Sequence, residues 1–332
     1  MPDTLVECHP SVRRRLLLLA FPLAGALALA AAATAGNGGV APVAPVSPNG
    51  QRITDAYWLI LGITGAVFLI VEGTLLAFVI KYRRGGRPRD EEGPQVSGDT
   101  KIEVAWTIVP VVLLAVVVGF VFYKLPGIKN TPPASAAEQT NIKVEAHQYY
   151  WLFKYPSGRE TVNVLTVPKD QVVTLDITSA DVAHSFWVPA FGGKTDAIPG
   201  RTNHTWFQAQ KAGHYIIRCA EFCGVQHAVM HGFVNVVEPG RAQPPAGVAL
   251  GKEVFTGVCA SCHGFRGEGL IGPAIATSAT LQDRKALAQL VHNGFGKMPA
   301  VGNTWNDQLV TALSAYLKKT FGSASGGTTS GG

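Results

Sequence analysis

The chain has 332 residues, of which 47% are apolar and 15% charged, with a formal net charge of +6. That length allows more than one domain, and so low a charged fraction points to a membrane component. Half of the positive surplus sits in residues 248–320 and the rest largely in the N-terminal segment and in one loop between apolar runs, so nothing in it suggests nucleic acid as a partner.

Residues 1–35 read as an export signal, with Arg13, Arg14 and Arg15, then a Leu/Ala run, then Ala33-Thr34-Ala35 as the cleavage site. An uncleaved membrane helix is the rival reading; the Gly- and Pro-rich stretch that follows favours cleavage. Cys8 precedes the apolar run and would leave with the signal. After an extracytoplasmic segment over 36–55, two apolar stretches at about 56–80 and 104–123 form a hairpin within 56–124. Each is near the roughly 20 residues needed to cross a hydrocarbon core about 30 Å thick. The loop between them carries Lys81, Arg83, Arg84, Arg87, Arg89 and Lys101, whereas only Arg52 lies between the cleavage site and the first span. Positive charge stays inside, which puts both chain ends and everything after Tyr123 on the outer face.

From 140 to 238 the pattern changes to short Val-, Ile-, Thr- and aromatic-rich runs punctuated by Gly and Pro, which predicts an all-β sandwich or barrel. A Pro-rich linker over 239–247 is semi-rigid by composition and should limit the separation of the domains it joins. Residues 248–320 predict a small all-α domain: Leu250, Val254, Phe255 and Val258 share one helical face and Leu309, Leu313, Tyr316 and Leu317 another. Thr304 and Asp307 are read as the cap of the last helix. This domain holds seven basic and four acidic residues, which suits docking on an acidic partner and an ordinary solvated surface equally well. The tail, 321–332, is Gly/Ser/Thr-rich and expected to be disordered.

Two constellations carry the chemistry. The first is Cys219, Glu221, Cys223, His227 and Met230, with His184 upstream. Two thiolates, two imidazoles and a thioether form a soft set suited to copper. Zinc and a Cys219–Cys223 disulfide remain as competitors, although zinc has no use for Met230 and a disulfide leaves His227 and Met230 unexplained. The second is Cys259-Ala260-Ser261-Cys262-His263, the attachment signature of c-type haem, with His263 as proximal ligand. Met298, before Pro299, stands as the sixth ligand, and the Gly272-Pro273 pair as the source of a carbonyl against the His263 ring.

The stretch from His184 to Val237, with HSFWVP, GGKTDAIPGR and CAEFCGVQHAVM, resembles the copper domain of cytochrome c oxidase subunit II, and 248–320 resembles a class I cytochrome c. The resemblance implies a multidomain membrane protein with a two-helix transmembrane hairpin, an all-β cupredoxin-like domain and an all-α cytochrome c domain. It implies binuclear copper A on bridging Cys219 and Cys223, terminal His184 and His227, the Met230 sulfur and the Glu221 backbone carbonyl. It also implies covalent haem c on Cys259, Cys262, His263 and Met298, and a magnesium or manganese ion shared by the Glu221 carboxylate with subunit I.

In that family Glu103, in Ile102-Glu103-Val104-Ala105-Trp106, lies at a proton-pathway mouth, and the plain alternative is an interfacial carboxylate reaching water. Glu72 lies deeper in the first span, with no assigned role. The segment His147-Gln148-Tyr149-Tyr150-Trp151 resembles an electron-entry aromatic patch, with Tyr149 where the family has Trp; Tyr149 and Trp151 are the candidates here. The expectation is that the fused haem has become first acceptor. Asp196 and Arg201 are expected to face subunit I, while His204, His214, His231 and His292 match no ligand role.

No catalytic residue is expected on this chain. The reading is subunit II of a haem-copper terminal oxidase, beside subunits I and III. It would relay electrons from cytochrome c or another reduced donor through haem c and copper A to subunit I, where oxygen becomes water and protons are pumped. The expected location is the bacterial inner membrane, with the metal domains outside. The alternatives are the copper A subunit of a nitric oxide reductase and a membrane-anchored electron carrier; a nitrous oxide reductase would need a propeller and no hairpin, and quinol oxidase subunits lack the copper ligands.

Overall fold

The computed structural model describes residues 42–83, 95, 97–133 and 139–322. The expected signal, most of the basic loop and all but the start of the tail lie outside the described residues.

Helix α1 runs Pro48–Lys81 and α2 Thr100–Lys124, and both are long and apolar enough to cross a membrane, with mean hydropathy 2.3 and 2.7. Helix α1 starts eight residues ahead of the expected 56. Ser47 caps it with Pro48 at the first helical position, and its polar opening turns are held by protein. Ser47 Oγ donates to the Phe191 carbonyl, Asn49 Nδ2 donates to Trp206 O at 2.6 Å, and Val46 N to Ala190 O at 2.9 Å. Hydropathy marks the lipid-facing span; these turns lie beyond it. Helix α2 gains a turn for a similar reason, because Asp99 caps it by accepting from Lys101 N and Ile102 N, leaving Glu103 in the first turn. Asp55 and Lys124, 2.8 Å apart, join the two helices at their outer end. The short α3, Pro126–Lys129, then turns the chain onto the β domain, where Trp206 Nε1 donates to Ile128 O at 3.0 Å.

Ten strands form two five-stranded sheets: β1 Gln139–His147, β2 Tyr150–Lys154, β3 Glu160–Val162, β4 Val164–Pro168, β5 Val172–Ser179, β6 His184–Trp187, β7 Thr195–Ala197, β8 Asn203–Gln208, β9 Gly213–Cys219 and β10 His231–Val237. Their orders are β3-β2-β1-β5-β8 and β4-β10-β9-β6-β7, with β1 parallel to β5 and β4 parallel to β10. Strand β1 alternates, burying Ile142, Val144 and Ala146. Strands β2 and β3 do not alternate: Tyr150, Trp151, Leu152, Phe153, Glu160, Thr161 and Val162 are all buried, as expected of strands covered on both faces.

What covers the second face is the helical domain. Helix α4, Gly247–Val254, passes through a π turn over Phe255–Cys259 into the short α5, Ala260–His263; α6 is Arg284–Asn293 and α7 Asp307–Phe321. Helices α4 and α7 cross at Gly251, where a Cβ would overlap the Ala312 carbonyl, so only glycine lets the backbones approach this closely. Leu250, Val254, Phe255, Leu309, Leu313 and Leu317 form one buried cluster with Tyr150, Leu152 and Val162 of the sandwich. The domains are therefore joined by a common core, and the linker is not what holds them. Two boundary expectations change. Asn306, not Thr304, caps α7 by accepting from Leu309 N at 3.1 Å, because the Thr304 hydroxyl donates instead to Glu145 Oε1 of β1 at 2.6 Å. Phe321 belongs to the domain rather than the tail: it is buried edge-on to Phe255.

Glu253 of α4 is a burden on this core. Its Oε2 is buried without a hydrogen-bond partner, and burial pushes its carboxyl up to about 7 from an unfolded value near 4.5. A raised acid costs nothing below the unfolded value and its full penalty above the folded one. Glu253→Gln should therefore raise the thermal midpoint at pH 8 and leave it almost unchanged at pH 4, as followed by thermal denaturation at both values; equal gains would show that charge is not the cause.

Candidate metal centre and haem-attachment site

Strand β6 starts at His184 and pairs with β9, which ends at Cys219, so the sheet itself brings the distant histidine to the cysteine loop. The loop folds back through a 3₁₀ turn over His227–Val229 and rejoins the sheet at β10. Cys219 and Cys223 are free thiols with sulfurs 3.8 Å apart, too far for a disulfide. His184 Nδ1 lies 3.8 Å from the Cys219 sulfur, His227 Nδ1 3.5 Å and Met230 Sδ 3.8 Å from the Cys223 sulfur. Cys219 Sγ donates to the Glu221 carbonyl at 3.2 Å. The donor atoms of His184, Cys219 and Cys223 all fall within 4.8 Å of one another. The fold thus gathers all six expected donors around the thiol pair.

Four of the six donor residues, His184, Cys219, Cys223 and Met230, are buried. His184 is fully buried and Met230 is 2% exposed. His184 Nε2 donates to Asp181 Oδ1 at 2.8 Å, which leaves the lone pair on Nδ1, the atom nearest Cys219. Burial opposes ionisation of Cys219, but His184 and the backbone groups of Ser185 and Glu221 outweigh it and hold the thiol at about 6. Burial and the Cys219 charge push Cys223 up to about 12. A soft cation bound between the two sulfurs would displace the thiol protons. This donor set, soft and without a carboxylate, fits copper.

Asp181 was not singled out in the sequence, although it stands three residues before His184. Trp151 is fully buried, edge-on to His184 at 6.2 Å, so it cannot itself meet a donor's surface. Tyr149 is half-buried, and its hydroxyl lies over Gly224 of the cysteine loop. Glu221 points an exposed carboxylate outward, and Asp196 and Arg201 are exposed as well. His204 and His214 are hydrogen-bonded to Asp176 and Asn235, and His231 lies edge-on to Phe233, all outside the thiol cluster.

In the helical domain Cys259 and Cys262 are free, and His263 is buried with Nδ1 donating to Pro273 O at 2.8 Å. The carbonyl expected from Gly272-Pro273 is in place, and it fixes the lone pair on Nε2. Met298 closes a small turn, paired with Phe295. Along the segments that carry His263 and Met298, Phe265, Leu270, Ile271 and Phe295 stand 69–80% exposed. Apolar side chains left uncovered beside two thiols and an oriented imidazole fit an apolar macrocycle held by thioethers.

Comparison with known proteins agrees. Residues 42–125 match the family model for the cytochrome c oxidase subunit II transmembrane domain, 157–237 that for its periplasmic domain, and 246–317 that for cytochrome c oxidase, cbb3-type, subunit III. Cytochrome c oxidase subunit 2 of Alkalihalophilus pseudofirmus is 32% identical over 269 residues, covering 74% of this chain and 76% of that protein. The subunit 2 of Cereibacter sphaeroides is 30% identical over 226 residues, 55% of this chain and 72% of that one. Among solved structures, the periplasmic domain of subunit II of cytochrome oxidase from Bradyrhizobium japonicum is 38% identical over 33% of this chain and 89% of its own, with a TM-score of 0.31. The chain belongs to the cytochrome c oxidase subunit 2 family, as a membrane protein in which extracytoplasmic cupredoxin-like and cytochrome c domains follow a transmembrane hairpin.

Proposed function

We propose that this chain is the electron-entry subunit of a haem-copper terminal oxidase of a bacterial inner membrane, assembled on subunits I and III. His184, Cys219, Glu221, Cys223, His227 and Met230 would hold copper A, and Cys259, Cys262, His263 and Met298 a covalent haem c. When bound, these groups supply reversible one-electron chemistry, relaying electrons from cytochrome c or another reduced donor to subunit I for oxygen reduction coupled to proton pumping. The observation that carries the reading is the convergence of two unbonded thiols, two imidazoles, a thioether and a carbonyl in one buried site.

The chain's own residues do the positioning. Asp181 fixes the His184 tautomer, and Pro273 does the same for His263. The turn from β9 back to β10 buries both sulfurs and holds them 3.8 Å apart, which suits a site where little rearrangement accompanies a change of charge. The exposed Glu221 carboxylate is free to share a magnesium or manganese ion with subunit I. Glu103, in the first turn of α2 at the end facing the basic loop, suits the mouth of a proton pathway into subunit I. Tyr149 is half-buried and Trp151 buried, so neither entry candidate offers a soluble donor an open aromatic face, which supports the haem as first acceptor.

Elemental analysis and paramagnetic resonance of the purified membrane complex should find a mixed-valence copper pair, and its reduced spectrum one c-type haem on this chain; zinc in place of copper, or a cystine, would overturn the proposal. Asp181→Asn should weaken copper retention by about ten- to a hundredfold, the usual cost of removing a partner that orients a ligand, when titrated with a competing chelator. Unchanged retention would remove Asp181 from the site's design.

A further inference from the structure

The contact between the two metal-bearing domains is centred on Tyr150, which is 2% exposed. Its ring stacks on His147, with centroids 4.5 Å apart, and lies edge-on to Trp305 of the helical domain. Its hydroxyl donates to Val301 O at 2.6 Å and accepts from Trp305 Nε1 at 3.1 Å. Val301 follows closely on Met298, and Cys259 packs against the same buried cluster that contains Tyr150. On the other side, Gln148 Nε2 donates to the carbonyl of Cys223 at 2.5 Å, while its backbone N donates to Asp181, the partner of His184. One tripeptide, Gln148-Tyr149-Tyr150, therefore touches the cysteine loop at one end and the Met298 loop at the other.

We propose that electrons cross from the haem domain to the copper loop through Tyr150 and Gln148, a route that rests on the metal assignments above. One electron leaves the ferrous haem, which becomes ferric, and enters the oxidised copper pair, which is reduced. No bond is made or broken. Tyr150 keeps its proton, because burial pushes its phenol above the ordinary tyrosine range. The route depends on the domains being seated in one orientation, and the surrounding contacts supply that: Thr304 donates to Glu145, Asn306 N to Glu160 Oε2 at 3.0 Å, and Asn306 Nδ2 to Gly158 O at 3.2 Å. Tyr150 and Gln148 are positioning residues that connect the two sites without entering either ligand set.

The test is flash-induced electron transfer within the purified oxidase complex, read at the haem and copper absorption bands. Tyr150→Phe keeps the ring and removes the bridging hydroxyl; Gln148→Leu breaks the other contact without touching the helical domain; Thr311→Val removes a surface hydrogen bond to Arg284 within the helical domain, away from both the route and the domain contact. The first two should slow haem-to-copper transfer severalfold at unchanged midpoint potentials, while Thr311→Val retains the parent rate. Tryptic cleavage at Arg241 in the linker reports independently of the metals whether the helical domain stays seated, and if Tyr150→Phe loosens it, Gln148→Leu decides. Parent rates in both route variants, or equal slowing in Thr311→Val, would overturn the route. Absence of either centre from the parent chain would sink the proposed function itself and the route with it.

Discussion

Most of what this chain can do depends on one hydrophobic interior being shared by two domains. Tyr150, Leu152 and Val162 belong to the sandwich by sequence and hydrogen bonding, yet they are buried among Leu250, Val254, Phe255 and Leu309. Burial of this kind stabilises by roughly 25 cal/mol for each Å² of apolar surface removed from water, so separating the domains would cost each of them part of its core. The polar contacts at the rim then select a single seating. Glu145 illustrates the balance: burial opposes its charge, yet His147, Thr304 and Lys154 hold its carboxyl at about 2, so it stays ionised within the contact. Its contribution is present above the unfolded value near 4.5 and is lost as the pH falls towards 2.

A second constraint acts at the membrane surface. The opening turns of α1 and the short α3 are not spacers between lipid and the β domain; Asn49 and Ile128 both bond to Trp206 of β8. The hairpin and the sandwich are consequently oriented together, and the side chains of α1 and α2 that remain exposed on the chain alone are available to lipid. The cysteine loop lies in the sheet that also ends in β7, and its exposed Phe222, Val225 and Val229 face away from the shared core.

The candidate donors could be picked out because five of the six lie within one loop and the sixth sits in a short apolar strand, and a donor set reveals itself by chemistry rather than by fold. The Cys-x-x-Cys-His run was legible for the same reason, and so were the membrane spans, whose composition is set by lipid. What could not be read depended on closure of the tertiary structure. Asp181 is an ordinary loop aspartate until β6 places His184 beside it, and Tyr150 is one of three consecutive aromatics until a helical domain covers β2. In Asn303-Thr304-Trp305-Asn306-Asp307 several residues could cap a helix; the choice of Asn306 was made by Glu145, a residue 159 positions from Thr304. The early start of α1 escaped notice because its first turns are stabilised by protein and carry no hydropathy signal.

The common interior also changes what the segment between the two domains is for. With the seating encoded in side chains, the Pro-rich stretch contributes chiefly by raising the local concentration of one half around the other, an effect that varies only slowly with loop length. Its length and composition are therefore free to drift. A copper half and a haem half made as separate polypeptides would still recognise each other, as two subunits in place of one.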